Sequence, residues 1–274
     1  QDLVPQALDG FKTDVVETGR FRAFELQTRG RSRPIVSPGV SVGHYRITAG
    51  TFGCLVRREE DTFILSNNHV LADVNEGELG DAILQPAAAD GGTAEDRIAT
   101  LANYIPLDFG TAESECPYAD LLTKLLNYVA GALGSAHELQ TVKKTPGVNR
   151  VDAALARPLA PEMLSNEILH IGVPAGVGEA ELGMAVQKTG RTTAYTTGSI
   201  TQIDATVRID YEGPSALFTG QIMASPMSMG GDSGSAVLDM DRRVVGLLFA
   251  GSEAATIMNP IDEVVAALDI ELVT

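Results

Sequence analysis

Gly230-Gly-Asp-Ser-Gly-Ser-Ala-Val237 places three glycines around Asp232 and Ser233, directly before an apolar β-like run. Glycines at that density imply positive φ or very close backbone approach. A serine held on such a turn, beside backbone amides that point the same way, has the geometry of a nucleophile next to an oxyanion hole. Ser233 is therefore the candidate nucleophile. An ordinary glycine-serine turn between two strands is the alternative, and the motif alone does not choose.

A serine hydroxyl at neutral pH needs a base within hydrogen-bond reach and a third group to orient that base. Upstream, His69 ends Phe63-Ile-Leu-Ser-Asn-Asn-His69, a strand running into a polar turn. Asp152 is the one acid in the β-like run Arg150-Val-Asp-Ala-Ala-Leu-Ala156. An acid there is expected to be buried and to need a partner, and the Nδ1–H of His69 is the candidate. A structural histidine and a strand-initiating aspartate are the alternatives. His44 and His170 sit in apolar settings and His137 in a long insertion, and nothing in the sequence distinguishes them. The order His, Asp, Ser differs from the α/β-hydrolase order, in which serine comes first, and from the subtilisin order, in which aspartate does.

Working outward, the chain of 274 residues has room for a sizeable core and two sub-domains. Its 44% hydrophobic and 20% charged residues are an ordinary globular composition and argue against disorder. A formal charge of −16 argues against a nucleic-acid partner, which needs a basic face for phosphates. No apolar run approaches the ~20 residues of a membrane helix, so no membrane partner is expected. The histidines have no HExxH-type spacing, and Cys54 and Cys116 form no ligand cluster, so neither a catalytic metal nor another cofactor is expected. Gln1 stands where an initiator methionine would, which implies removal of an upstream segment.

Residues 1–38 form an arm without regular periodicity. Short β-like runs then follow: Thr51–Arg57, Thr62–Leu65, Ala185–Lys188, Gly198–Ile203, Ala205–Tyr211 and Arg243–Phe249. Several short strands at close spacing point to a barrel or sandwich, and no strand-helix-strand alternation supports a doubly wound fold. Residues 84–147 break this rhythm with a helical insertion. There Tyr118, Leu121, Leu122, Leu125, Leu126, Val129 and Leu133 recur at the spacing of one helix face. The spacing predicts a helix packed on the barrel, with a partner-docking surface over 118–133 as the alternative. A last helix is expected within 259–274, with Asn259 as N-cap and Pro260 in its first position.

Gly-Asp-Ser-Gly at 231–234 and Leu65-Ser-Asn-Asn-His69 resemble the nucleophile and histidine motifs of chymotrypsin-fold, trypsin-like serine peptidases. The likeness is nearest to the bacterial branch. Ala185-Val-Gln-Lys-Thr-Gly-Arg-Thr-Thr-Ala-Tyr-Thr-Thr-Gly-Ser-Ile200 resembles the Arg/Lys-x-Gly-x-Thr-Thr stretch of lytic and streptomycete endopeptidases. Val245-Gly-Leu-Leu-Phe-Ala-Gly251 resembles the substrate-binding strand, and the wording around His69 and Ser233 resembles trypsin-like proteins related to a plant regulatory peptidase. The resemblance covers roughly 40–72 and 150–258. It implies an all-β fold of two antiparallel six-stranded β-barrels, over 39–160 and 161–258, with a triad in the cleft between them. It also implies Ser233 as nucleophile, His69 as base, Asp152 as orienter, and the N–H groups of Gly231 and Ser233 as oxyanion hole.

Where the chain departs from the family, further expectations follow. Animal relatives pair the acid before the nucleophile, here Asp232, with a new N-terminus; the bacterial branch uses a cation, here Lys188, as anchor of the turn. Family bridges at Cys54 and at positions matching Gln187 and Thr197 have no partner cysteines, which favours a cytoplasmic protein over a secreted one. Cys54 is then a small buried hydrophobe. The implied pocket has Met227 as floor and Ser228, Ala250 and Gly251 as walls, with no acid, so an apolar P1 residue is expected. Phe249 replaces the family's serine beside the orienting acid, so Asp152 needs another neighbour, expected to be Ser66 or Asn68. A peptide or protein substrate would lie extended along Phe249–Gly251. A catalytically silent, partner-binding scaffold is the rival reading, and a general esterase a variant of the first.

Overall fold

The short runs are rich in apolar residues, and several of them, such as Ala236–Asp239, are buried on both faces, so the strands must pair into packed, curved sheets. The computed structural model describes residues 7–8, 11–12, 28–47, 49–211 and 213–274. Most of the N-terminal arm lies outside the described residues, apart from a pairing of Ala7–Leu8 with Phe11–Lys12. Its last part is tied to the body: Thr28 and Val36 are buried, and Val36 N–H donates to the Met163 carbonyl at 2.8 Å.

The first barrel contains β1 (Ser41–His44), β2 (Cys54–Arg58), β3 (Asp61–Ser66), β4 (Ala82–Leu84), β5 (Arg97–Tyr104) and β6 (Ala154–Pro158). They pair in the order β2-β3-β6-β5-β4-β1, with Glu271–Leu272 added beside β2 and Gly50–Thr51 beside β1. The second contains β7 (Ala185–Gly190), β8 (Ala194–Asp210), β9 (Ser215–Ala224), β10 (Ala236–Asp239), β11 (Arg243–Gly251) and β12 (Thr256–Pro260). Here β12 pairs with both β11 and β9, so the ladder β9-β8-β7-β10-β11-β12 closes on itself. Val148–Asn149 and Gly176–Val177 are short parallel additions to that sheet. The structure thus has the all-β, two-barrel architecture expected, with each six-stranded set extended by two short pairings.

One apolar cluster joins the barrels: Cys54, Val56, Leu65 and Leu155 from the first meet Leu238, Val244 and Leu247 from the second. Ile261, Val264 and Leu268 of the C-terminal helix α3 (Ile261–Leu268) complete it. The expected cap of that helix differs. Pro260 is its N-cap, because the Asn259 side chain is buried elsewhere. Asn259 Oδ1 accepts the Asp152 N–H at 3.0 Å, and its Nδ2 donates to Gln221 Oε1 at 2.7 Å.

Three further readings are corrected. Residues 97–104, assigned to the insertion, are strand β5, laddered between β4 and β6. The helix α2 (Pro117–Ala132) forms as its spacing predicts, but it buries no residue and does not pack on the barrel. Leu121 and Leu125 remain 68% and 58% exposed. The runs Gly198–Ile203 and Ala205–Tyr211 fall on one strand, β8, with Tyr211 just past its end; the ladder continues through register shifts between Ile200 and Val207, where Asp204 has φ +53°. No helix among the described residues is long and apolar enough to cross a membrane.

Candidate active site

Strand β3 delivers Asn67 to the start of the short helix α1 (Asn68–Leu71), which carries His69. Asp152 precedes β6, the strand that pairs with β3, so the two residues arrive side by side. His69 Nδ1–H donates to Asp152 Oδ2 at 2.6 Å. The carboxylate is fully buried, while the imidazole keeps 20% of its side-chain surface. Asp152 Oδ1 accepts the N–H groups of Asn68 (2.6 Å) and His69 (3.3 Å), the first amides of α1. These three donors satisfy the hydrogen-bonding needs of a carboxylate that has no access to solvent.

A fourth donor was not expected. Tyr211 OH donates to Asp152 Oδ2 at 2.8 Å from the tip of the β8–β9 hairpin. Burial, together with the Asp152 charge, pushes the Tyr211 phenol well above its ordinary value, so it stays a donor. Ser66 does not fill this role, because its hydroxyl donates to the Thr51 carbonyl at 2.8 Å. Asn68 reaches Asp152 through its main chain only; its side-chain Nδ2 donates to Asn75 Oδ1 and to the Ile105 carbonyl. Phe249 instead packs on Phe218, with ring centroids 4.8 Å apart.

Ser233 lies across β11 from this pair. Its hydroxyl donates to the Phe249 carbonyl at 3.3 Å, and no Ser233–His69 hydrogen bond forms among the described residues. The structure therefore joins His69 to Asp152 but leaves Ser233 engaged elsewhere. Apo sites commonly show such loose contacts. Gly231 and Gly234 hold the turn at φ +95° and +93°. A Cβ at Gly234 would meet Ser66 Oγ at 2.0 Å and the Thr51 carbonyl oxygen at 2.4 Å, so only glycine fits. Neither the Gly231 nor the Ser233 N–H finds an acceptor within the protein among the described residues, as a pair of free oxyanion donors requires.

Lys188 and Asp232 are both fully buried, with Nζ and Oδ2 at 3.0 Å. Asp232 also accepts the N–H groups of Thr192 (2.7 Å), Thr193 (3.1 Å) and Met229 (3.0 Å), and the Thr193 hydroxyl (2.6 Å). Burial pushes this carboxyl up, but Lys188 and these donors outweigh it and hold it below the usual carboxylate range.

Beside Ser233 lies a cavity of about 510 Å³, lined by Ser228, Met229, Leu248, Ala250, Gly251 and Glu253 among others. Met227, the expected floor, is not in its lining. The residue is 5% exposed, its N–H is held by Thr256 Oγ1 at 3.0 Å, and its side chain packs against Gly198 inside the barrel. An acid, Glu253, stands exposed on the wall where none was expected. A second cavity, of about 740 Å³, lies on the His69 side and is lined by Arg46, Asp73, Tyr211, Phe249 and Ala250. Of the remaining histidines, His44 is buried against Asp81 (2.9 Å), and His137 and His170 are exposed.

No protein-family model matches the sequence, and no curated protein matches it. Solved structures do. Thermobifida fusca protease A superposes with a TM-score of 0.55 at 18% identity, covering 87% of this chain and 100% of that one. Nocardiopsis protease gives 0.56 at 15%, with the same coverage. Cellulomonas bogoriensis chymotrypsin gives 0.53 at 18%, covering 87% and 98%. The chain has the chymotrypsin fold. In this chymotrypsin fold His69, Asp152 and Ser233 come from three separate segments, and the first two are joined by a hydrogen bond.

Proposed function

We propose that this chain is a serine endopeptidase that hydrolyses peptide bonds through an acyl-enzyme on Ser233. The observation that carries the reading is the buried Asp152–His69 pair at 2.6 Å, in a chain that also holds Ser233 on a turn between two left-handed glycines. His69 accepts the Ser233 proton through Nε2 and passes it to the leaving amine. Asp152 holds the tautomer that leaves Nε2 free. Gly231 and Ser233 N–H groups stabilise the oxyanion. No cofactor enters this chemistry.

The 3.3 Å bond from Ser233 to the Phe249 carbonyl fits a resting state. A substrate strand laid along Phe249–Gly251 brings a P1 N–H that competes for that carbonyl, releasing the serine hydroxyl to turn towards His69. Met229 and Leu248 in the pocket lining support a medium apolar P1 residue, and Glu253 on the wall is exposed to solvent. Cleavage of a peptide library mainly after Arg or Lys would overturn that preference.

A fluorophosphonate probe tests the reaction: wild type is expected to be labelled and Ser233→Ala not, with turnover falling by about a thousandfold or more. Equal labelling of both sinks the proposal. The second reading, a silent scaffold that binds partners, draws on the exposed apolar stripe of α2. It requires an unlabelled wild type.

A further inference from the structure

The hydroxyl that reaches Asp152 from the β8–β9 hairpin has no counterpart in the sequence motifs. We propose that Tyr211 is the positioning residue that fixes the Asp152 carboxylate, and through it the His69 imidazole, in place of a hydroxyl at position 249. The inference deepens the peptidase reading and rests on it for its kinetic consequences.

Among the described residues, the hydrogen bonds to the Asp152 carboxylate divide by origin. Asn68 N–H, His69 N–H and His69 Nδ1–H all come from α1 in the first barrel. Tyr211 alone comes from the second. Its hydroxyl shares Oδ2 with the imidazole, at 2.8 Å against 2.6 Å. That shared oxygen sets the plane of the carboxylate and hence the direction of the His69 ring.

The Tyr211 ring is itself held. Its edge contact to His69 has centroids 5.7 Å apart, and Phe109 packs on it at 5.8 Å. Phe218 lies 6.4 Å away and carries Phe249 on its other side. The aromatic at 249 therefore removes one donor from the site and buttresses the ring that supplies another. Hairpin length makes this reach possible, since β8 runs 17 residues before the tip.

A donor on Oδ2 draws off part of the carboxylate's charge. Without it Asp152 holds the imidazolium more tightly, and His69 becomes more basic. The other charged groups around His69 are Arg46 and Asp73, paired at 3.1 Å, and Arg208 and Asp210 on the hairpin. Replacing Tyr211 by phenylalanine leaves all four in place and retains the ring.

The test uses two backgrounds. In Ser233→Ala protein, where no turnover is needed, the His69 imidazole is titrated by NMR with and without Tyr211→Phe. The midpoint is expected to rise by about one pH unit. In the active chain, Tyr211→Phe is expected to lower kcat about tenfold with KM changed less than about twofold, and to move the acid limb of the pH profile upward. An unchanged His69 titration overturns the proposal whatever the kinetics show. A wild type without Ser233-dependent turnover overturns the peptidase reading instead, and the titration still decides Tyr211.

Discussion

Asp232 holds the Gly230–Ser233 turn through five bonds at once, to Lys188, to the Thr193 hydroxyl and to three main-chain amides. Removing Lys188 leaves a buried carboxylate without its counter-ion, so Lys188→Met is expected to lose about 3–5 kcal/mol in urea unfolding. Asp232→Ala is expected to cost more, because it orphans the buried ammonium together with the donors around it. The pH dependence follows from the depressed Asp232 carboxyl. Its contribution is fully present above the ordinary unfolded value of about 4 and is lost as pH falls through the lower folded value. Asp232→Asn should therefore flatten the acid limb of stability against pH. The Lys188–Asp232 pair was legible because the Lys-x-Gly-x-Thr-Thr wording carries it. Tyr211 was not, because it stands 59 positions from Asp152 and no local pattern says where a hairpin tip lands.

The two longer helices separate what periodicity encodes from what it does not. In α2 and α3 alike, apolar residues recur on one face, and both segments are helical. Only α3 buries its stripe, with Leu268 fully enclosed, whereas Leu121 and Leu125 of α2 face solvent. Spacing reports the helix; the partner depends on where the flanking loops carry it. Leu268→Ala is accordingly expected to cost about 2–5 kcal/mol. Leu121→Gln with Leu125→Gln should stay within about 0.5 kcal/mol per site. Thermal melts of the two variants side by side check both. Strand β5 was missed because Arg97–Tyr104 is bracketed by short turns and half-buried residues, which blur its alternation. Most other strands were legible because they are short apolar runs set off by glycine and polar turn residues.

Over the whole molecule, the cleft owes its residues to an apolar cluster shared by both barrels and sealed by α3. Cys54 lies in that cluster, and burial pushes its thiol up to about 12. Cys116 is exposed, and both cysteines are free. A thiol reagent is expected to modify one cysteine in the native protein and both after denaturation; two fast native reactions would mean that the shared core opens readily. The two sheets also differ in how they end. In the second, β12 hydrogen-bonds on both sides and no strand of the six is left at an edge. In the first, no ladder joins β1 to β2; the chain crosses between them through Gly50–Phe52, and Glu271–Leu272 pairs with the outer side of β2. A ring has no end from which to unzip. Amide hydrogen exchange should therefore be slowest through β7–β12 and should begin, in the first barrel, between β1 and β2. His69 and Asp152 ride on the half expected to open first, and Ser233 on the half expected to stay closed.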